Sequence, residues 1–325
     1  MTTYAELAIA SNFTFLPGAS HPEEGAATAA RLGLVAFALA DRNTLAGVVR
    51  AHVAAREVGV RFVPGCRLAF SDGTPDVLAW PSDRVAWGRL CRFLTLGNRR
   101  AEKGDCDLSL DDLLAWGEGL VLAPLPGRGR LGDEAGRLAA TLDRLRATFG
   151  REWIRLAAQP LFGPGDRRRL ARLATIAETA GVRLLAVGDL LHHVPERRPL
   201  ADVMTAIREG TTLEAAGRRL AASAERHLRT PESVAHLFRD HPRAVAESTA
   251  LLDRLTFSLD ELRYDYPHED LHGAPTPQDA LVRLTRAGAA QRWSEGVPET
   301  VEKAIAHEFR VIGELTAQDV AVVYI

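Results

Sequence analysis

The chain has 325 residues, 46% of them apolar and 25% charged, and its formal net charge of −2 argues against a protein that binds polyanions by bulk charge. Cys66, Cys91 and Cys106 are odd in number and never form CxxC, so they read as reduced thiols. No apolar run reaches membrane-spanning length and residues 1–20 lack a basic start before an apolar stretch, which predicts a cytoplasmic protein.

Seven apolar runs read as strands: 4–10, 34–40, 61–70, 76–80, 119–125, 153–158 and 182–188. Amphipathic stretches at 22–32, 43–58, 84–96, 133–149 and 166–180 read as helices, with Asn43 expected to cap the second and Gly59 to end it. Strand followed by helix, repeated, implies parallel strands with crossover helices. Seven such strands fit a closed or nearly closed βα barrel as well as an open sheet, and in either case ligands gather at the carboxyl ends of the strands. After about residue 199 the pattern becomes short helices. Residues 263–278, rich in proline and histidine, read as a linker, followed by helices at about 278–293 and 298–315. The expected organisation is therefore a βα barrel with peripheral helices over 1–255 and a mainly helical segment over 256–325. The chain stops on the apolar run 320–325, an unpaired strand-like ending expected of a chain cut from something longer.

The working surface of such a barrel would be made of strand-end residues: Ala8, Ala10 and Ser11; Asp41 and Arg42; Arg67; Gln159; and Asp189, Leu191, His192 and His193. A metal site needs several neutral histidines and ionised carboxylates in one place. Here only Asp41, Asp189 and one or both histidines qualify, and a guanidinium cannot ligate and repels a dication. The favoured reading is a salt-bridged mouth in which Arg42 and Arg67 meet Asp41 and Asp189 in place of a cation; a working metal site is the alternative. The basic loop "GNRRAEKG" (97–104) reads as solvated, with phosphate contact as its alternative. "GPGD" (163–166) reads as the N-terminus of a helix.

The stretches "YAELAIASNFTFLPGASHPEE", "ADRNTLAGVVRAH", "WGRLCRFLTLGNRRAEKGDCDLSLDDL" and "LLAVGDLLHHVPERRPLADVMTAIREGTTLEAAGRRLAASAERHLRTPESVAHLF" resemble the N-terminus of error-prone C-family DNA polymerases, relatives of the bacterial replicative polymerase III alpha subunit. The resemblance implies a PHP domain, a seven-stranded, distorted TIM-like βα barrel, followed by the start of a polymerase palm. It also implies where metal ligands would stand. The family's first motif, His-x-His, falls on Ala8 and Ala10; the second falls on Asp41 and Arg42; a glutamate falls on Arg67; and a late Asp-x-His falls on Asp189 and Leu191, with His193 beyond. Asp41, Asp189 and His193 are thus expected as remnants of a metal site, with no catalytic residue and no cofactor for this chain, and Mg²⁺ only for the full-length polymerase family. The palm carboxylates of a DNA-directed DNA polymerase lie outside the chain.

The function expected from this resemblance is a catalytically inactive scaffold of a damage-tolerance polymerase. Its expected partners are the rest of such a polymerase or other damage-tolerance proteins, with at most weak contact to DNA and none to membrane. The alternatives are a metal-dependent phosphoesterase or 3′–5′ exonuclease, and a stand-alone interaction module.

Overall fold

The computed structural model describes residues 2–129, 131–132, 134–263, 271 and 273–316. Among the described residues there are nine short strands: β1 (Ala5–Ile9), β2 (Ala36–Leu39), β3 (Asp41–Arg42), β4 (Arg61–Val63), β5 (Cys66–Leu68), β6 (Val77–Pro81), β7 (Leu120–Pro124), β8 (Arg155–Ala158) and β9 (Arg183–Ala186). Between them lie helices α1 (Pro22–Arg31), α2 (Val48–Val58), α3 (Arg84–Arg100), α4 (Leu110–Trp116), α5 (Glu134–Phe149) and α6 (Asp166–Thr179). The run predicted as one strand over 61–70 is broken at Pro64-Gly65. Proline has no N–H for a ladder, and a Cβ at position 65 would come within 2.5 Å of the Trp80 ring.

The fold is α/β. The strands form three sheets, ordered β1-β2-β4, β3-β5-β6-β7 and β8-β9, and isolated parallel bridges join Leu122 to Ile154 and Ile9 to Leu190. The expectation of parallel strands throughout fails at β6, which runs antiparallel to both β5 and β7. Only residues 69–76 connect β5 to β6, too few for a parallel crossover, which needs a dozen or more.

Successive strand residues serve two different cores. Ala5, Leu7, Ala36, Ala38, Leu78, Trp80, Val121, Ala123 and Ala157 pack among the strands. Their neighbours Phe37, Leu39, Val77, Ala79, Leu120, Leu122, Leu156 and Ala158 pack under the helices. This is the period of two that a pleated strand imposes, and burial on both faces explains why the runs read as continuously apolar.

Gly59 ends α2 with φ +70°, as expected, but Asn43 does not begin it. Asn43 sits at φ +51° and clamps the backbone of Ala69, accepting from its N–H and donating to its carbonyl at 2.8 and 3.0 Å. Its amide is spent on the neighbouring strand end, so the helix starts at Val48 behind Gly47.

Further α-helices follow in the first unit: α7 (Arg198–Arg208), α8 (Leu213–Ala216), α9 (Pro231–Leu237) and α10 (Pro242–Ala250). Packing divides the chain at Leu262/Arg263 rather than after residue 255. Leu255 and Phe257 are buried, Phe257 stacks on Trp87, and the Thr256 and Phe257 N–H groups both donate to the Ser82 carbonyl. Those contacts hold the segment to the first unit. The second unit contains α11 (Pro277–Arg292) and α12 (Glu299–Thr316). Residues 264–270 and 272 of the predicted linker, and the apolar run 320–325, lie outside the described residues.

Candidate functional site at the strand ends

Asp189 follows β9 in the left-handed region, φ +50°, which aspartate tolerates better than most residues. Its carboxylate is buried and accepts from three guanidiniums: Arg67 at 3.1 Å, Arg128 at 3.2 Å and Arg226 at 2.7 Å. Arg226 also donates to the Asp189 carbonyl at 2.7 Å, and Arg67 to Asp76 at 2.6 Å. Burial pulls the Arg226 guanidinium down to about 10; Asp189 opposes that shift, and the Arg128 and Arg67 charges add to it. At Arg67 burial acts in the same direction, but Asp189 and Asp76 outweigh it and the guanidinium is raised.

Asp41, at the start of β3, is held differently. It is fully buried and accepts from the Ser11 N–H at 2.6 Å, the Ser11 hydroxyl at 2.7 Å and the Thr14 hydroxyl at 2.6 Å. Burial raises its carboxyl above the usual range, and the Thr14 and Ser11 bonds pull it back in part. The expected pairing of Asp41 with an arginine does not occur. The turn after β1 folds two hydroxyls over its carboxylate, while the neighbouring Arg42 side chain is exposed and, among the described residues, makes no ion pair.

The two histidines part company. His193 Nδ1 lies 2.8 Å from the Ser20 hydroxyl and 3.9 Å from Glu24, so it faces α1 rather than Asp189. Its pKa is lowered, first by burial and then by Arg31. His192 is buried, stacks on His227 with ring centroids 6.4 Å apart, and is pushed down to about 4, chiefly by burial. Gln159 donates to the Pro126 carbonyl and lines no ligand set.

These donors do not fit a metal ion. Positions 8 and 10 are alanine, Asp41 is enclosed by hydroxyl and N–H donors, Asp189 is surrounded by cations, and His193 turns away. Among the described residues, no group of three or more His, Cys, Asp and Glu side chains stands where it could hold one.

Strand ends alone do not reveal Arg128, Arg226, Asp76 or Glu6. Arg128 lies in Gly127–Gly132, a GxGxxG spacing between β7 and α5 that signals a phosphate loop. The loop's first N–H, at Gly127, is already taken by the Glu134 carboxylate. Glu6 betrays itself by being charged inside an apolar strand. It is buried and accepts from Tyr4 at 2.9 Å, from Ala8 at 3.0 Å and from Gly188 at 3.0 Å. Burial raises its carboxyl to about 7 against those hydrogen bonds. A Cβ on Gly188 would lie 2.6 Å from this carboxylate, so the glycine permits the approach. Arg226 carries no local signal, since only the fold brings residue 226 beside residue 189.

Among the described residues, no helix is long and apolar enough to cross a membrane. No family model matches the chain. Two solved structures are distantly similar: a two-domain protein from Bacteroides vulgatus containing a predicted PHP-like metal-dependent phosphoesterase (12% identity, 72% of this chain and 62% of that one, TM-score 0.41), and an amidohydrolase from Chromobacterium violaceum (18%, 58% and 88%, TM-score 0.39). At such scores the likeness carries no argument. Curated relatives are much nearer. The error-prone DNA polymerase of Mesorhizobium japonicum is 47% identical over 314 residues, and that of Caulobacter vibrioides 44% over 312, each matching 96% of this chain. The chain spans 28% of the length of those relatives, and nearly all of it is homologous to error-prone DNA polymerases.

Proposed function

We propose that this chain is the N-terminal, PHP-like part of an error-prone DNA polymerase and acts there as a structural platform without hydrolytic activity of its own. On this reading its partners are the remainder of a polymerase chain or other damage-tolerance proteins. The chain itself takes no cofactor, and Mg²⁺ belongs to the polymerase body. The observation that carries the reading is the set of three guanidiniums on Asp189. Phosphodiester hydrolysis of the metal-dependent kind needs a cation to generate hydroxide and to take up charge on the phosphate. At this mouth the cations are arginines, which cannot bind hydroxide.

On this reading the strands make one ring of seven positions rather than three sheets, with β2 and β3 sharing one position and β4 and β5 another. The bridges Leu122–Ile154 and Ile9–Leu190 support closure, and so does the apolar core enclosed among the strands. The test is to assay the purified chain with Mn²⁺ and with Zn²⁺ on single-stranded DNA and on a generic phosphodiester. No hydrolysis above background is expected. Turnover that Asp189→Ala abolishes would overturn the reading.

A further inference from the structure

Over the strand ends lies an open cleft of about 440 Å³, within the size range of small-molecule sites. Six arginines line it: Arg42, Arg67, Arg128, Arg208, Arg219 and Arg226. Among the described residues no carboxylate lines it. Three carboxylates meet these arginines from outside the lining: Asp76 and Asp189 below, and Glu209 beside Arg208. Half of the positive charge is therefore uncompensated by protein. Arg42 and Arg219 are exposed and, among the described residues, make no ion pair. Each guanidinium offers five N–H groups in a planar fork that matches a phosphate edge. Asp189 and Asp76 engage two of them on Arg67, and Asp189 engages one on Arg128. Asp189 thus pins three arginines in place and leaves them donors to spare.

We propose that this cleft is a phosphate-binding site, in which Arg42 and Arg219 close from the rim on an anion seated against the pinned Arg67, Arg128 and Arg226. The class of ligand is a multiply charged phosphate, either free, as inorganic phosphate or pyrophosphate, or carried on the backbone of a nucleic-acid strand. A bulk charge near zero hides such a site, because the acidic residues are elsewhere on the surface. The inference needs only the arginines and not attachment to a polymerase body. Hydrolysis by the chain would overturn the platform reading and leave this one standing.

The test is calorimetric titration of the full 325-residue chain, in 50 mM salt, with inorganic phosphate, with pyrophosphate and with a 12-nucleotide single-stranded DNA lacking terminal phosphate. The double variant Arg42→Ala/Arg219→Ala serves as comparison. At least one probe should bind, weaken on raising the salt to 200 mM, and weaken tenfold or more in the double variant, whose unfolding midpoint stays unchanged. Binding confined to phosphate and pyrophosphate assigns the site to free anions; binding confined to the DNA assigns it to strand phosphates. If no probe binds, or if the double variant binds as the parent does, the proposal fails.

Discussion

Replacing Asp189 by asparagine removes one negative charge and little else. Asparagine has nearly the same shape and tolerates φ near +50°, so the backbone stays where it is. What remains is a set of three guanidiniums with the shared anion gone. Breaking a buried charge pair from one side costs about 3–5 kcal/mol. Two factors reduce that here. The Arg67 and Arg128 side chains are 30% and 32% exposed, so water screens part of their repulsion. Arg67 also keeps Asp76, and Arg226 keeps the carbonyl of residue 189. The expected loss is therefore about 2–3 kcal/mol, at or just below the lower end of that range. With a urea slope of about 3 kcal/mol/M, the unfolding midpoint should fall by about 1 M. Trp80, fully buried at the strand core, reports the transition by fluorescence. Asp189→Ala should fall further, by about 1 kcal/mol, because alanine resists the left-handed conformation. Raising NaCl should narrow the gap between parent and Asp189→Asn by screening the arginines. A midpoint within about 0.3 M of the parent's, or above it, would refute the claim that Asp189 holds the arginines together.

Gly188→Ala should destabilise the chain by about 1–3 kcal/mol, as overpacking does; thermal unfolding checks it, because the new Cβ would meet Leu190 at 2.4 Å and Glu6 at 2.6 Å. Glu6→Gln should change the pH dependence of stability. The folded pKa of Glu6 is raised, to about 7, so its contribution is full below the unfolded value of 4.5 and is lost as pH rises through about 7. Urea midpoints of parent and variant measured from pH 4 to 8 should therefore show a fall in the parent across that window that the variant lacks, and parallel profiles would sink the assignment.

Element positions were legible where burial decides them. A strand apolar on both faces announces itself whatever its direction, so β1, β2 and β7 fall inside predicted runs, and α6 within two residues of its predicted range. Direction at β6 was misread although it was legible, because the predicted runs 61–70 and 76–80 left only five residues between them, too few for the crossover that the repeated strand–helix pattern implied. Asn43 misled for a related reason. A residue able to cap a helix can also clamp a strand, and the choice is made by Ala69, which is remote in sequence. At the mouth, the strand-end reading located the acids Asp41 and Asp189. It paired Arg67 with Asp189, and the two stand 3.1 Å apart, but it missed Arg128 and Arg226 on the same carboxylate and the hydroxyls that take Asp41.

The outcome at those two acids follows from where each sits. Both are buried carboxylates, and a buried charge without partners is expensive. Asp41 is 1% exposed beneath the turn after β1, where short donors from that turn reach it. Ser11 and Thr14 satisfy it with neutral groups, which explains why burial still raises its carboxyl. Asp189 is 6% exposed and meets three arginines that line the cleft, each from a different segment and with its fork still partly in water. Hydroxyls cancel the cost of one buried acid and add no net charge. Three guanidiniums on the other, with Asp76 beside them, leave a surplus of one, which adds to Arg42 and Arg219 to make the mouth cationic.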